Sequence, residues 1–137
     1  GIIDQILEIT CCQPYLIQLI GEQMVRQANQ HQTRLLTQSL LDAALEAALT
    51  AGTPYFTNLW TEYTGRTPEE VQVGQEVLQA IALGTPIPDD TTPVARAALR
   101  RMRRYHVIES NKGSYRCEVP FVARWIRERA VVESFFS

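Results

Sequence analysis

Five arginines between residues 96 and 104 form the densest group of potential binding residues in the sequence. Four of them recur at spacings of three and four, which places them on one face of a helix: Arg96, Arg100, Arg103 and Arg104. A guanidinium group donates a fork of hydrogen bonds that fits phosphates, guanine edges and carboxylates. The sequence therefore predicts a helix that binds either nucleic acid or the acidic side chains of a protein partner.

The overall charge favours the protein partner. The 137 residues contain 13 basic and 15 acidic side chains, so the formal net charge is −2. The glutamates in the same half of the chain as the arginines include four that we expect to repel a duplex: Glu69, Glu70, Glu109 and Glu118. Because carboxylates repel a phosphate backbone, we expect DNA binding to be weak.

Cysteine and histidine residues do not have the spacing of a metal site. The cysteines are Cys11, Cys12 and Cys117, and neither His31 nor His106 forms a His-x-x-x-His or Cys-x-x-Cys pattern with its neighbours. We therefore expect no bound metal ion. An odd number of cysteines is typical of a reducing compartment, so the sequence predicts a cytoplasmic protein without a disulfide framework.

Catalytic motifs are also absent from the sequence. It contains no Gly-x-x-x-x-Gly-Lys-Ser/Thr loop, and neither histidine has a recognisable nucleophile and carboxylate beside it. Asp89 and Asp90 are adjacent, so their side chains diverge, and a turn role is favoured over acid–base chemistry. No apolar run approaches the ~20 residues that span a membrane. We expect no enzymatic activity from this chain alone.

The first half of the chain has the apolar spacing of three helices. The first spans Ile2 to Thr10, the second begins at Pro14 and ends near Gln30, and the third follows Thr37 as N-cap and ends at Gly52. Gly21 lies inside the second helix. It lowers stability there unless a neighbouring helix crosses closely.

The second half predicts helices followed by a hairpin. A short aromatic helix begins at Pro54 and ends at Gly65, and its aromatic residues are expected to pack in a core: Tyr55, Phe56, Trp60 and Tyr63. Residues 67–70 read Thr-Pro-Glu-Glu, a capping-box start, for a helix that stops at Gly84. The arginine helix begins at Thr92-Pro93 and buries Leu99.

A change of periodicity after this helix predicts a two-stranded hairpin. Val107 and Ile108 precede a polar turn, and alternating residues follow it, before Pro120 opens a last helix that buries Trp125. This is the element order of a winged-helix domain. The fold class is therefore mostly α, with a small helical bundle (1–52), a winged-helix domain with a two-stranded β-hairpin (53–130) and an unassigned tail (131–137).

Three stretches resemble the lid and winged-helix region of the STAND group of AAA+-related signal-transduction ATPases. Residues 9–20 read ITCCQPYLIQLI, similar to the lid turn T-G-G-x-P-Y-L-x-Q, with Cys11 and Cys12 in place of the two glycines. Residues 53–60, TPYFTNLW, are similar to the linker helix. Residues 119–126, VPFVARWI, are similar to the segment that closes the winged helix, so the resemblance covers almost the whole chain.

The resemblance implies a regulatory role in nucleotide binding. Pro14 matches the proline that packs on the adenine of ATP or ADP, with Gln13 beside it in the lid turn. Some relatives sense the β-phosphate with a histidine after the wing, where this chain has Pro120 and Phe121. The partners implied are a nucleotide-binding domain of the same longer chain and an effector protein. A start at Gly1 within an amphipathic pattern fits this expectation.

Two alternatives from other classes remain open at the level of sequence. The chain can be a winged-helix DNA-binding module that reads duplex with its arginine helix. It can also be a protein-interaction scaffold that binds neither ligand. The sequence upstream of Gly1 would distinguish the ATPase hypothesis from both alternatives, because that hypothesis requires a phosphate-binding loop there.

We expect the purified 137-residue chain to hydrolyse no ATP above the buffer rate, because it lacks the phosphate loop, the metal ligands and the water-positioning group. The measurement is phosphate release across the fractions of a sizing column. Turnover that follows the protein peak would contradict the prediction.

Overall fold

Seven α-helices and one hairpin make up residues 1–133, the part of the chain that the computed structural model describes. The helices are α1 (Ile2–Thr10), α2 (Pro14–Gln30), α3 (Gln38–Ala51), α4 (Thr53–Glu62), α5 (Pro68–Leu83), α6 (Pro93–Arg104) and α7 (Pro120–Arg129). The antiparallel strands are β1 (Ile108–Asn111) and β2 (Ser114–Cys117). The predicted fold class, mostly helical with a two-stranded hairpin, is confirmed. The chain divides into two compact units between Pro54 and Tyr55.

The first unit is built on the contact between α2 and α3. Fully buried aliphatic side chains of both helices form its core: Leu16, Ile20, Leu41, Ala44 and Leu49. The hydroxyl of Thr37 accepts a hydrogen bond from the Leu40 amide at 3.2 Å, as the predicted N-cap requires. α1 adds one buried aliphatic side chain, Ile6, while Ile3 on the same helix is 68% exposed.

Gly21 of α2 has open space where a side chain would be. A Cβ atom built there meets nothing within 4 Å. No neighbouring helix crosses closely at this glycine, so packing does not require it.

The second unit surrounds α5, which packs against α6, α7 and β2. Thr67 and Glu70 form the predicted capping box at its start, and Gly84 ends it in a left-handed conformation. Val107 follows α6 directly and donates its amide to the carbonyl of Met102 at 2.8 Å. The hairpin is therefore tied to the end of the arginine helix.

Four aromatic rings join α4 to α7 inside this unit. The rings of Phe56 and Trp125 stack at 5.5 Å with an interplanar angle of 18°. Phe121 meets Phe56 edge-on at 5.8 Å, and Trp60 meets Trp125 edge-on at 6.4 Å. Phe56 and Trp60 are buried, as predicted, whereas Tyr55 and Tyr63, predicted to pack with them, are half-buried.

The end of α4 lies against α5 at a glycine. α4 ends at Glu62, three residues before the predicted end at Gly65, and Thr64 and Gly65 are buried beside α5. A Cβ on Gly74 of α5 would overlap the carbonyl oxygen of Thr64. Only glycine permits this close approach.

Buried polar groups hold the segment that follows α7. The Trp60 indole donates to the carbonyl of Val131 at 3.1 Å. The fully buried Gln75 amide donates to the Trp60 carbonyl and accepts from the Glu133 amide at 2.8 Å. The remainder of the predicted tail, residues 134–137, lies outside the described residues.

Replacing Gly21 by alanine should stabilise the first unit by about 0.5–1 kcal/mol, because alanine favours the helix and meets no neighbour. The matched control, Gly74→Ala in α5, should destabilise by about 1–3 kcal/mol, because its Cβ overlaps Thr64. Denaturant unfolding measures both changes. Destabilisation by Gly21→Ala would contradict the prediction.

Leu99 and Trp125 are buried, as the sequence predicts. Truncation of either to alanine should lower the unfolding free energy by about 2–5 kcal/mol, because a cavity replaces a packed side chain. Leu83, which is 51% exposed, provides the control, and its alanine variant should change stability little. A loss below about 1 kcal/mol for Leu99→Ala or Trp125→Ala would contradict this.

Candidate functional site

Helix α6 presents two chemically opposite faces. The Thr92 hydroxyl caps its start by accepting the Ala95 amide at 3.2 Å. Its inner face buries Ala95, Ala98, Leu99 and Met102. The four arginines that the sequence places together are all exposed on its outer side: Arg96, Arg100, Arg103 and Arg104.

None of these guanidinium groups forms an ion pair or a side-chain hydrogen bond with any residue between 1 and 133. Arg101, the fifth arginine of α6, also lacks such a partner and is half-buried. Within the described chain the helix therefore carries five positive charges without a bonded anion. Binding of an external anion costs no internal ion pair.

Two clefts of the second unit, which share Arg100, are each lined by three arginines of α6. One cleft, of about 420 Å³, is lined by Arg100, Arg101 and Arg104, and by Arg66 from the connection between α4 and α5. We call it the arginine cleft. The other cleft, of about 350 Å³, is lined by Arg96, Arg100 and Arg103, and also by Asp90 and Tyr115.

Sequence reasoning missed two residues of the arginine cleft, Arg66 and Arg101. Arg101 is three positions before Arg104, and this spacing is the signal that could have included it. Arg66 is separated from α6 by the whole of α5, so only the packing of the helices shows its proximity.

Acidic groups near α6 are engaged locally. Glu109 pairs with Arg116 across the hairpin, and Glu118 pairs with His106 at 3.3 Å. Glu70 accepts hydrogen bonds from the amide and hydroxyl of Thr67 in the capping box. Of the four glutamates that were expected to repel a phosphate backbone, Glu109 is therefore paired with a cation, and Glu70 and Glu118 are held by local contacts.

The turn between α1 and α2 contains two successive left-handed residues. Cys11 has φ 48° and Cys12 has φ 59°, a region that favours glycine. The Cys12 amide donates to the Leu7 carbonyl at 3.1 Å, and the Gln13 amide donates to Thr10 at 3.1 Å. These are the positions at which the resembled lid turn has glycines.

The turn exposes an apolar surface at the start of α2. Pro14 occupies the first helical position and is exposed, and Tyr15 after it is 47% exposed. Gln13 is half-buried, and its carbonyl accepts the Ile17 amide at 3.0 Å. Cys11–Tyr15 contains no charged side chain, so it suits contact with a flat apolar group rather than with phosphates.

The remaining candidates for chemistry stay apart. Among residues 1–133, no three His, Cys, Asp or Glu side chains are grouped so that they could hold a metal ion. The described helices include none with the length and apolarity of a membrane span. Burial raises the pKa of the Cys117 thiol from 9.0 to about 11, and the Arg127 guanidinium opposes this shift.

The comparisons with known proteins found no match. No protein-family model, no curated protein and no solved structure is significantly similar to this chain.

Thiol labelling at pH 8 should distinguish the cysteines. Cys11 and Cys12 are exposed and should react first, whereas the raised pKa leaves Cys117 with about a hundredth of the thiolate of a thiol with pKa 9.0. A Cys117→Ser variant should keep the two fast equivalents and lose the slow one. Three fast equivalents in the folded protein would contradict the prediction.

The same pKa shift predicts a pH dependence of stability. The pKa of Cys117 is higher in the folded chain than in the unfolded one, so its contribution is complete below pH 9. It is lost as the pH rises through about 11. Between pH 8 and 11, the free energy of unfolding should fall more steeply for the parent chain than for the Cys117→Ser variant.

Proposed function

We propose that this chain is the regulatory lid and winged-helix module of a larger nucleotide-dependent signalling ATPase. The observation that carries this proposal is the turn at Cys11 and Cys12. Both residues adopt the left-handed backbone that the glycines of the resembled lid turn would supply, and exposed Pro14 follows at the first position of α2.

The turn suits the base of a nucleotide rather than its phosphates. Pro14 and Tyr15 offer exposed ring surfaces, and no charged group lies in the turn. The triphosphate and its metal ion then belong to a nucleotide-binding domain of the longer chain. ATP or ADP would lie between that domain and the turn, and closure would report the nucleotide state.

Exposed aliphatic side chains of the first unit support docking of that domain. Ile3, Val25 and Leu35 are each more than 60% exposed, and Leu36 is 55% exposed. Leu35 and Leu36 are adjacent in the chain, and contiguous exposed apolar side chains are typical of interaction surfaces. The winged helix of the second unit would carry the signal to an effector protein through the arginines of α6.

The test uses the longer chain expressed from the natural gene. Its sequence upstream of Gly1 must encode a phosphate-binding loop, and absence of this loop would overturn the proposal. With the loop present, Pro14→Ala should weaken ADP binding about tenfold, because a base contact is lost. Pro68→Ala is the matched control, since Pro68 is also exposed at the start of a helix. Equal effects of both variants would contradict the assignment.

A DNA-binding module is the second candidate. The observation that favours it is the run of α6 arginines without an ion pair to any described residue, next to a hairpin with Lys112 exposed at its turn. A recognition helix with a basic wing is one way in which winged helices bind duplex DNA. The net charge of −2 argues against tight binding.

We expect duplex DNA to bind weakly at physiological salt, with a Kd of about 10⁻⁴ to 10⁻⁶ M and without sequence preference. The measurement is a titration of duplex pools at low and physiological salt. It is repeated with an Arg100→Ala, Arg103→Ala, Arg104→Ala variant. Nanomolar, sequence-selective binding that this variant abolishes would make DNA recognition the function.

A further inference from the structure

The arginine cleft differs from the outer surface of α6 because its cations come from two parts of the fold. Arg66 extends from the connection before α5, while Arg100, Arg101 and Arg104 extend from α6. All four arginines line one cleft of about 420 Å³. A linear phosphate backbone is matched by cations in a row along one helix, whereas arginines from two elements that line one cleft can contact the same compact anion.

The cleft has an excess of positive charge. None of its four arginines forms an ion pair within residues 1–133. Its acidic neighbour is Glu70, and the Glu70 carboxylate accepts the amide and hydroxyl of Thr67. Like charges in one cleft repel each other, and an anion with several charges relieves that repulsion.

The walls of the cleft are well supported. Ala98 and Thr64, which also line it, are buried, and Arg101 is half-buried. Tyr105 at its edge packs on Tyr63 with ring centroids 5.1 Å apart. Arginines on α6 and on the connection before α5, with an aromatic pair at the edge, form a site that needs little rearrangement to accept a ligand.

We propose that the arginine cleft binds a compact polyphosphate anion, either a free polyphosphate or the phosphate chain of a nucleotide. The volume lies within the range of about 300–1,000 Å³ that is typical of small-molecule sites. The forked guanidinium donors provide bidentate hydrogen bonds to phosphate oxygens. This site shares no residue with the Pro14 turn and does not depend on the proposed lid function.

The experiment titrates the folded chain with sodium tripolyphosphate by calorimetry in chloride buffer at physiological ionic strength. Tripolyphosphate has no base, so it cannot report on the Pro14 turn. We expect one saturable site per chain. Arg101→Gln with Arg104→Gln should weaken binding about tenfold or more, because two charge-assisted contacts are removed.

The matched control is Arg96→Gln with Arg103→Gln, which removes the same charge from the same helix outside the arginine cleft. It should change the affinity less than threefold. Equal weakening by the two double variants would show general attraction to a basic helix and overturn the proposal. The absence of saturable binding would also overturn it. Circular dichroism confirms that each variant is folded.

Two further arms separate the sources of the phosphates. ATP that competes with tripolyphosphate, with the same loss in the Arg101/Arg104 variant, identifies the site as one for nucleotide phosphates. Tripolyphosphate binding without ATP competition identifies a site for free polyphosphate. Saturable binding of a short DNA duplex without binding of tripolyphosphate would overturn the proposal in favour of nucleic acid.

Discussion

The stacking of Phe56 on Trp125 is the contact on which the second unit depends. It joins the first helix of that unit to its last, so the elements between them close around one aromatic core. α6 lies among these elements, and its buried Leu99 face fixes where its arginines project. The position of the α6 arginines on the surface therefore depends on the stacking of Phe56 and Trp125, which are 69 positions apart in sequence.

The sequence predicts the starts of the helices well because their signals are local. Thr37, Thr67 and Thr92 each cap the helix that follows, as their sequence contexts predict. The composition of the arginine cleft is not local. Arg66 reaches it through the packing of α5 against α6, which no spacing in the sequence encodes. The absence of a helix crossing at Gly21 has the same cause, because periodicity shows which face is apolar but not where a neighbour crosses.

The two units differ in the kind of surface that they offer. The first exposes aliphatic side chains and a turn whose Cys11 and Cys12 hold a backbone conformation that is unfavourable for most residues. The second exposes cations without bonded anions in its described part. Contacts with the first unit should therefore tolerate salt, whereas contacts with α6 should weaken with it. The salt dependence of a binding reaction therefore indicates which of the two surfaces is involved.

The hydrogen bonds that hold residues 131–133 have a mechanical consequence. The carbonyl of Val131 and the amide of Glu133 bind Trp60 and Gln75, which lie in the core rather than on α7. A pulling force on this segment is therefore transmitted to α4 and α5 before it can unwind α7. Gln75 also holds the Trp60 carbonyl, so both anchors resist the load together. Tension applied to residues 131–133 would therefore reach the aromatic core directly through these hydrogen bonds.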